Sequence, residues 1–354
     1  KDKETTHYLQ NNLLKNKSMR IKKSIVSKLV DKYTLDSEKT KSILPKDGHL
    51  GLFEVIETGK HITIQSDSKR NVAIFPGDRI IAAFANRYAT SQFEGYVPAE
   101  HLEQYDILGA GGAIGVVKSK NAALSDIEPT KVRLISYLFN DQEQVINTKF
   151  LGLSVPLFVH EKRKFETILS LGSTMDSGKT TSAAFIARGL ALAGKKVAFI
   201  KLTGTAYTKD KDFVFDCGAE LALDFSDAGY PSTFLCSKEE ILSIYQHCLN
   251  LIDDSFDYLV MEIADGILQR ETNFLIRDEQ FMSTIDYISF SCGDSLSALQ
   301  GIQMLNEWNI RPTFISGKFT MSDLLIHEVA EESKMPVLTI QQMESGECLK
   351  YLKK

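Results

Sequence analysis

The order of hydrophobic and polar positions has one texture in the first half of the chain and another in the second. Between residues 46 and 150, short apolar runs rich in β-branched residues are broken by Gly, Asp and Asn. Helical periodicity is weak there, so the pattern predicts a small β-rich or α+β domain over 46–150. The runs are HITIQ (61–65), NVAIF (71–75), RIIAAF (79–84), AIGVVKS (113–119) and VRLISYLF (132–139).

From residue 151 to residue 354, apolar strands alternate with longer amphipathic stretches. The predicted strands are TILSL (167–171), KKVAFIK (195–201), DYLVME (257–262), IDYISFS (285–291), PTFIS (312–316) and PVLTI (336–340). The predicted helices begin at Lys179, Lys238, Ser295 and Ser322. Such alternation is typical of a doubly wound α/β fold, in which helices cover both faces of a parallel sheet. Ligands bind such a sheet at the carboxyl ends of its strands.

The first 45 residues form a third region. They are polar and rich in lysine, and SIVSKLVDKYTL (24–35) has the pattern of a short amphipathic helix. We therefore expect a Lys-rich arm over 1–45 that carries one helix.

Composition narrows the class of protein. The chain has 354 residues, 43% of them hydrophobic, which is more than one core needs and favours two domains. A net charge of −5 argues against a nucleic-acid partner, and no apolar run approaches the roughly 18 residues of a membrane span. The five cysteines are scattered without a CxxC pair, which favours a reduced, cytoplasmic protein.

The stretch GSTMDSGKTT (172–181) lies between the strand TILSL and a predicted helix. Backbone N–H groups at such a helix start bind phosphate, a glycine permits close approach, Lys179 can bridge the β- and γ-phosphates, and Thr180 can bind Mg²⁺. Five residues separate the two glycines, where the common motif has four. The predicted nucleotide-binding residues are Gly172, Ser173, Thr174, Met175, Asp176, Ser177, Gly178, Lys179, Thr180 and Thr181.

This spacing resembles two families of P-loop proteins. GSTMDSGKT is similar to the loop of dethiobiotin synthetase, G-T-D-T-x-V-G-K-T, and to that of cobyric acid synthase, G-T-x-S-D-A-G-K-S. The resemblance covers about residues 165–340 and implies ATP and Mg²⁺ as cofactors. The related partitioning ATPases carry an extra lysine early in the loop, which this chain lacks, so the metabolic members are favoured.

Two further strand ends resemble these families. KLTGT (201–205) looks like the K-P-x-x-x-G segment of dethiobiotin synthetase, which implies a substrate-side role for Lys201, although Leu202 replaces the proline. A lysine that only caps a strand end is the alternative. Glu262, which ends YLVME, resembles the synthetase glutamate that helps to hold Mg²⁺. The predicted catalytic residues are therefore Lys179, Lys201 and Glu262.

The synthetases complete the metal site with an aspartate downstream of the lysine. Asp216 is our first choice here and Asp212 the second, with Asp224 and Asp227 behind them. The predicted metal ligands are Thr180, Glu262 and one of these aspartates. Arg270 could reach a phosphate, but a surface arginine is the simpler interpretation.

Two stretches of the first half invite a functional interpretation. LGAGGAIGVV (108–117) mimics a dinucleotide fingerprint, but VVKSKN follows where a helix should begin, so a glycine-rich turn or bulge is expected. ANRYATSQFEGY (85–96) crowds Asn86, Arg87, Tyr88, Glu94 and Tyr96 into one loop, which either binds a substrate or effector or only packs. Taken as a whole, the chain resembles a group of two-domain bacterial proteins, and that resemblance implies no particular reaction.

We therefore expect a Mg-ATP-dependent ligase, synthetase or kinase-like enzyme that phosphorylates a small carboxylate or carbamate. The alternative is a nucleotide-dependent switch or accessory ATPase that acts on a protein partner. A module that has lost catalysis is disfavoured because Lys179, Thr180 and Glu262 are all present. The expected partner is a small-molecule substrate, and a homodimer is one possible assembly.

Overall fold

A computed structural model describes residues 20–151, 157–161 and 163–352. Its strands form two large sheets and one separate pair. Strands of the first half are β1 Lys22–Lys23, β2 Thr34–Leu35, β3 Leu50–Glu57, β4 Thr63–Gln65, β5 Asn71–Ala73, β6 Arg79–Phe84, β7 Phe93–Tyr96, β8 Tyr105–Gly109, β9 Ala113–Lys120 and β10 Lys131–Phe139.

The first sheet closes on itself. β6, β3, β10, β8 and β9 pair in that order through antiparallel ladders, and a parallel pairing of β9 with β6 completes the ring. Aromatic side chains fill the interior, where Phe84 meets Phe53 and Tyr105 edge to face at centroid distances of 5.4 and 5.1 Å. The five predicted runs of this half all contain observed strands, and RIIAAF coincides with β6.

The predicted helix over residues 24–35 is wrong. Only Ile25–Ser27 form a turn of 3₁₀ helix, between the short strands β1 and β2. β1 pairs with β6, and β2 pairs with β10, so the segment belongs to the first sheet. Ile25, Val26 and Val30 are buried in that packing, which overrides the weak helical pattern. Residues 1–19 of the predicted arm lie outside the described residues.

The second sheet carries the P-loop sequence. Its strands are β11 Glu166–Gly172, β12 Val197–Lys201, β13 Leu221–Asp224, β14 Tyr258–Glu262, β15 Tyr287–Ser291 and β16 Phe314–Ser316. They lie in the order β13-β12-β14-β11-β15-β16, and every pairing is parallel. β11, which leads into the glycine-rich loop, is therefore inside the sheet, between β14 and β15.

Helices cover both faces of this sheet. They are α2 Lys179–Leu192, α3 Lys209–Asp216, α4 Lys238–Leu249, α5 Arg270–Ile276, α6 Glu279–Met282, α7 Ser295–Glu307, α8 Asp323–Ser333 and α9 Ile340–Glu344, and the first half adds α1 Ser37–Thr40. Alternate strand residues pack into different cores: Ile168 lies with α2, whereas Leu169 lies with α4 and α7. The predicted α/β class with a doubly wound parallel sheet is confirmed.

The predicted helices of the second half all appear, and so do its predicted strands with one exception, whereas β13, α3, α5, α6 and α9 were not predicted. The predicted strand PVLTI (336–340) is reduced to an isolated parallel bridge between Val337 and Ile315. Thr339 instead caps α9 through a capping box with Gln342. The start of α9 therefore takes the place of the end of the strand that the apolar run predicted.

The two halves of the chain contact each other through polar side chains. Gln65 of β4 accepts a hydrogen bond from the Thr208 backbone N–H (2.9 Å) and donates to the Thr208 hydroxyl (2.8 Å). Lys28 pairs with Asp227 at 2.6 Å. Within the described residues, no helix combines the length and apolar character needed to cross a membrane.

Candidate functional site

Three strand ends place the chemistry of the second sheet at one edge. In the parallel register, Glu262 at the end of β14 lies opposite Lys201 at the end of β12 and opposite Ser170 of β11. The glycine-rich loop follows β11 two residues after Ser170. Because carboxyl ends of parallel strands share an edge, the loop, Lys201 and Glu262 meet there, as the sequence predicted.

The loop from Gly172 to Gly178 leads into α2, which begins at Lys179. Among the described residues, no protein acceptor takes a hydrogen bond from the backbone N–H groups of Met175, Asp176, Ser177 or Gly178. The first turn of α2 adds further N–H groups without intrahelical partners. Gly178 has φ +106°, a left-handed conformation that a side chain would strain. This strand–loop–helix unit has the geometry of an anion-binding loop at a helix N-terminus, and residues 172–181 are called the P-loop below.

Lys179 is folded over the loop. Its side chain is buried, with 5% of the residue exposed, and Nζ donates to the Thr174 carbonyl at 2.8 Å. Burial lowers the pKa of Lys179, while the Glu262 and Asp265 carboxylates oppose that shift. Lys179 forms no ion pair with the other described residues. Its ammonium group can therefore turn from the carbonyl to a stronger acceptor, such as a phosphate oxygen.

Glu262 lies at the centre of a buried polar cluster. Its Oε1 accepts from the Thr180 hydroxyl at 2.9 Å and lies 3.9 Å from Lys201 Nζ. Its Oε2 is buried and has no hydrogen-bond partner among the described residues. Asp210, in the first turn of α3, forms a close ion pair with Lys201 on the other side. The cluster therefore contains three predicted residues, Thr180, Lys201 and Glu262, and one residue that was not predicted, Asp210.

The charge states of the cluster follow from these distances. Burial raises the pKa of Glu262, and Lys201 offsets this only in part because Asp210 is closer to that ammonium group. Burial by itself lowers the pKa of Lys201, but Glu262 and Asp210 together outweigh it and raise that pKa. Lys201 is therefore a fixed positive charge, and Glu262 a carboxylate whose ionised form is poorly stabilised by the protein.

The structure does not bring the two favoured aspartates to this edge. Asp212 pairs with Lys69 of the first half at 2.7 Å and accepts from the Thr208 hydroxyl at 2.5 Å. Asp216, the last residue of α3, is exposed and does not line the site. On a helix each residue turns about 100° from the one before, so only Asp210 of this run faces Lys201.

The remaining acidic and basic candidates are also engaged elsewhere. Asp224 and Asp227 both pair with Lys211, at 3.1 and 2.8 Å. Arg270 pairs with its neighbour Glu271 and donates to the Cys236 carbonyl at 3.0 Å. None of these three candidates lines the cavity at the strand ends.

A cavity of about 430 Å³ opens beside the loop. Of the predicted nucleotide-binding residues, it is lined by Met175, Asp176, Gly178, Lys179, Thr180 and Thr181, whereas Gly172, Ser173, Thr174 and Ser177 do not line it. Lys201, Asp210, Glu262 and Asp265 also line it, as do Arg87, Tyr88, Ala89 and Gln92 from the first half. The polar loop singled out at 85–96 therefore reaches the same cavity as the P-loop.

Asp265, three residues after Glu262, is a further acidic group that the sequence analysis did not select. It has φ +62°, an uncommon backbone conformation for a residue with a side chain, and it lines the cavity. Burial raises the pKa of Asp265 to about 6, against the opposing effects of Lys179 and Lys201. A carboxyl group that titrates near neutral pH inside a cavity is suited to proton transfer.

The oxygen groups of the cluster fit a bound magnesium ion. Within the described ranges, no group of three or more His, Cys, Asp and Glu residues could hold a metal by itself. Mg²⁺, however, is commonly bound by one or two protein oxygens together with substrate phosphates and waters. The Thr180 hydroxyl and the unpartnered Glu262 Oε2 supply such oxygens beside the loop.

Comparison with known proteins adds little to this description. No protein-family model matches the chain, and no curated protein matches it. Among solved structures, chloroplast FtsY from Physcomitrella patens is 13% identical, with a TM-score of 0.37 over 57% of this chain and 68% of that one. A nucleotide-binding protein in complex with ADP from Archaeoglobus fulgidus is 12% identical, with a TM-score of 0.32 over 51% of this chain and 85% of that one. Likenesses this low support no conclusion about this chain.

Proposed function

We propose that this protein binds a Mg²⁺–nucleoside triphosphate at the P-loop and transfers its γ-phosphoryl group to a small carboxylate or carbamate. The observation that carries the proposal is the buried cluster of Lys179, Thr180, Glu262 and Lys201 at the carboxyl edge of a parallel sheet. Lys201 is paired with Asp210, but the buried Lys179 ammonium group has only a carbonyl acceptor among the described residues and Glu262 Oε2 has no partner there, which is costly. The cluster is suited to a ligand that carries both negative charge and a cation.

The contacts beside the loop favour ATP as the nucleotide. The segment after β16 packs on the P-loop, where Lys318 N–H donates to the Ser177 carbonyl at 3.1 Å, and Lys318 lines the cavity. A nucleotide base would lie against this segment. Its sequence, GKFTMSD (317–323), lacks the Asn-Lys-x-Asp pattern that recognises guanine.

Each residue of the cluster has a role in the proposed transfer. The loop N–H groups and Lys179 would hold the phosphates, and Thr180 and Glu262 would hold Mg²⁺, which neutralises charge on the β- and γ-phosphate oxygens when bound. Lys201 would orient the acceptor. An acceptor carboxylate oxygen attacks the γ-phosphorus, the bond to the β-phosphate oxygen breaks, and the products are an acyl phosphate and ADP.

The need for a base separates two kinds of acceptor. A carboxylate is already deprotonated and needs none, whereas the hydroxyl or amine acceptor of a kinase-like enzyme must lose a proton. Asp265 lines the cavity and its pKa of about 6 leaves it ionised at neutral pH, so it would serve as that base. The site thus supports phosphoryl transfer with either acceptor, and Lys201 favours the anionic one.

A nucleotide-dependent switch is the second candidate, and one observation favours it. The segment that follows Lys201 contacts β4 of the first half through hydrogen bonds between Thr208 and Gln65, so a movement of this segment would reach the first half. The two candidates differ in what triggers turnover. The enzyme would be nearly idle with Mg-ATP until a small acceptor is added, whereas the switch would respond to a protein partner.

Nucleotide binding is tested by thermal unfolding of the wild type and of Lys179→Ala, with and without Mg-ATP. We expect ATP at 100 times its dissociation constant to stabilise the wild type by about 2.7 kcal/mol. Lys179→Ala should lose most of the resulting rise in melting temperature, because the only cationic side chain within the loop is gone. The matched control is Lys195→Ala, which removes an exposed lysine just beyond the far end of α2. Equal shifts in all three proteins would refute the proposal.

A further inference from the structure

The loop between β6 and β7 forms a second wall of the P-loop cavity. It contributes Arg87, Tyr88, Ala89 and Gln92 to the lining. It also touches the P-loop directly, since the Ser91 hydroxyl lies 3.3 Å from the Met175 sulfur. The proposed phosphate site accounts for none of these first-half residues, although they face the same space.

Arg87 is fixed in position and only partly satisfied. Its backbone forms a bridge with Gly95, Nη1 donates to the Leu108 carbonyl, and Nη2 donates to Gln92 Oε1 at 2.9 Å. Nε is buried and has no acceptor among the described residues. A guanidinium group has five N–H donors, so more than half of its capacity is unused in a side chain held by two acceptors.

A second cation shares the same acceptor. Lys60 Nζ donates to Gln92 Oε1 at 2.9 Å and lies 4.8 Å from the centre of the Phe93 ring. Within the described chain, no carboxylate lies within 4.0 Å of either Arg87 or Lys60. Two positive charges therefore meet on one neutral amide oxygen, which is an unfavourable arrangement for a protein without an anion nearby.

The protonation of both groups reflects this crowding. Burial lowers the pKa of Arg87 to about 10, and Asp265 partly opposes the shift. Burial, followed by repulsion from Arg87, lowers the pKa of Lys60 to about 8. A bound anion would relieve both effects, so the protein itself is arranged to favour one.

We propose that Arg87 and Gln92, with Lys60 behind them, bind a carboxylate of the acceptor substrate. This rests on the proposed function, and it makes the acceptor a small molecule with two acidic groups. One group would be oriented by Lys201 for phosphorylation, and the other would be held at the first-half wall. A planar guanidinium matches a planar carboxylate, and one negative charge is better tolerated than a phosphate dianion in a cavity that Asp210 and Asp265 also line.

The test uses the full-length protein and two calorimetric titrations. The first measures the affinity of the protein for the Mg²⁺ complex of a non-hydrolysable ATP analogue. The second measures the affinity of the nucleotide-saturated protein for malonate, succinate or glutarate. We expect at least one dicarboxylate to bind the wild type, while the neutral diamide succinamide does not. Arg87→Gln should lower the affinity for that dicarboxylate by about tenfold or more, which is the contribution of one charge-assisted hydrogen bond. Its nucleotide affinity should remain at the wild-type value.

Two further variants make the result interpretable. Arg70→Gln removes an exposed arginine outside the cavity and should bind both ligands like the wild type. Arg87→Lys keeps the charge, so if Arg87→Gln does not fold, a loss of dicarboxylate affinity in the lysine variant decides the question.

Three outcomes would count against the proposal in different ways. Nucleotide binding without binding of any dicarboxylate would overturn the inference but leave the proposed function standing. A fall in nucleotide affinity in Arg87→Gln as large as that in Lys179→Ala would show that Arg87 contacts the triphosphate and not the acceptor, which also overturns it. Failure of the wild type to bind nucleotide in the first titration would instead refute the proposed function on which the inference rests.

Discussion

Among single residues, Glu262 is the clearest case of a site residue whose burial opposes the stability of the folded state. It is 2% exposed, one carboxylate oxygen contacts Thr180, and the other has no partner among the described residues. Its pKa is raised by burial, so at neutral pH the folded state holds a charge that the unfolded chain would solvate better. Such groups are retained where a ligand, here the proposed Mg²⁺, compensates for their cost.

The variant Glu262→Gln tests this trade-off. We expect it to bind ATP without Mg²⁺ like the wild type, because the loop and Lys179 are unchanged. The additional stabilisation by Mg²⁺ and the turnover should be lost, since the amide cannot replace the carboxylate as a metal ligand. The free energy of unfolding of the nucleotide-free variant, measured with urea at pH 7, should be no lower than that of the wild type. Glu328→Gln, an exposed change on α8, is the control, and Mg²⁺-dependent hydrolysis that survives in Glu262→Gln would remove Glu262 from the site.

Residue-level prediction from the sequence succeeded where strand register decided the geometry. Lys201 and Glu262 end adjacent strands, so their meeting follows from the parallel sheet. It failed for the acids of α3, because the angle at which a helix docks decides which of its residues faces the site. Asp210 faces Lys201, whereas Asp212 faces the first half of the chain and pairs with Lys69. Nothing in the run KDKDFVFD marks that difference.

Among the elements, the P-loop shows how a backbone conformation is tied to binding. Gly178 has φ +106°, and a methyl group there would lie 3.1 Å from the Gly317 Cα. Gly194, just beyond the end of α2, has φ +76° and open space around it. The two glycines thus share a left-handed backbone but differ in their neighbours.

This difference predicts separate effects of two alanine substitutions. Gly178→Ala and Gly194→Ala should each lower the free energy of unfolding by about 1–2 kcal/mol, the cost of a left-handed conformation for a residue with a Cβ. Only Gly178→Ala should also weaken ATP binding, because the loop must shift away from Gly317. Urea unfolding and nucleotide titration of both variants check this. Unchanged ATP affinity in Gly178→Ala would show that the loop conformation at this position does not matter for binding.

The N-terminal segment shows an element that the sequence misrepresents. The spacing of Ile25, Val26 and Val30 suits a helix face, yet these residues are buried in the core that the first sheet helps to form. The Ser24 N–H donates to the Ile81 carbonyl, and β2 pairs with β10, so contacts with the first sheet supply hydrogen bonds that a short isolated helix would have to supply internally. Since helices this short are marginal in water, the tertiary pairing prevails.

At the scale of the whole molecule, the contact between the two halves of the chain determines which residues line the cavity. We call this contact the joint. The turn between β8 and β9 lies so close to the segment after Lys201 that a Cβ on Gly111 would be 1.7 Å from the Ala206 carbonyl oxygen. The glycine-rich stretch that imitates a dinucleotide fingerprint therefore serves to join the two halves. The expected turn or bulge is confirmed by the irregular register between Ile107 and Gly109.

We expect this joint to make unfolding a single event. Trp308, the one tryptophan of the chain, lies at the end of α7 and reports only on the second half, while circular dichroism reports on both. In the wild type the two signals should change together with temperature. Gly111→Leu should separate them, because the leucine forces the sheets apart, whereas Gly293→Leu, at a position with nothing within 4 Å, should not. Coincident transitions in Gly111→Leu would show that the joint contributes little to cooperativity.

The sequence alone determined the parts of this protein that depend on local pattern: the parallel sheet, the helices that cover it, and the loop with Lys179 and Thr180. Periodicity and strand ends are properties of neighbouring residues, so they can be read without knowing the fold. Only the tertiary structure decided that Arg87 and Gln92, which precede Lys179 by 92 and 87 residues, line the same cavity as that lysine. That placement depends on how two separately patterned sheets dock, through contacts such as Gly111 with Ala206, and no local pattern encodes such a distance.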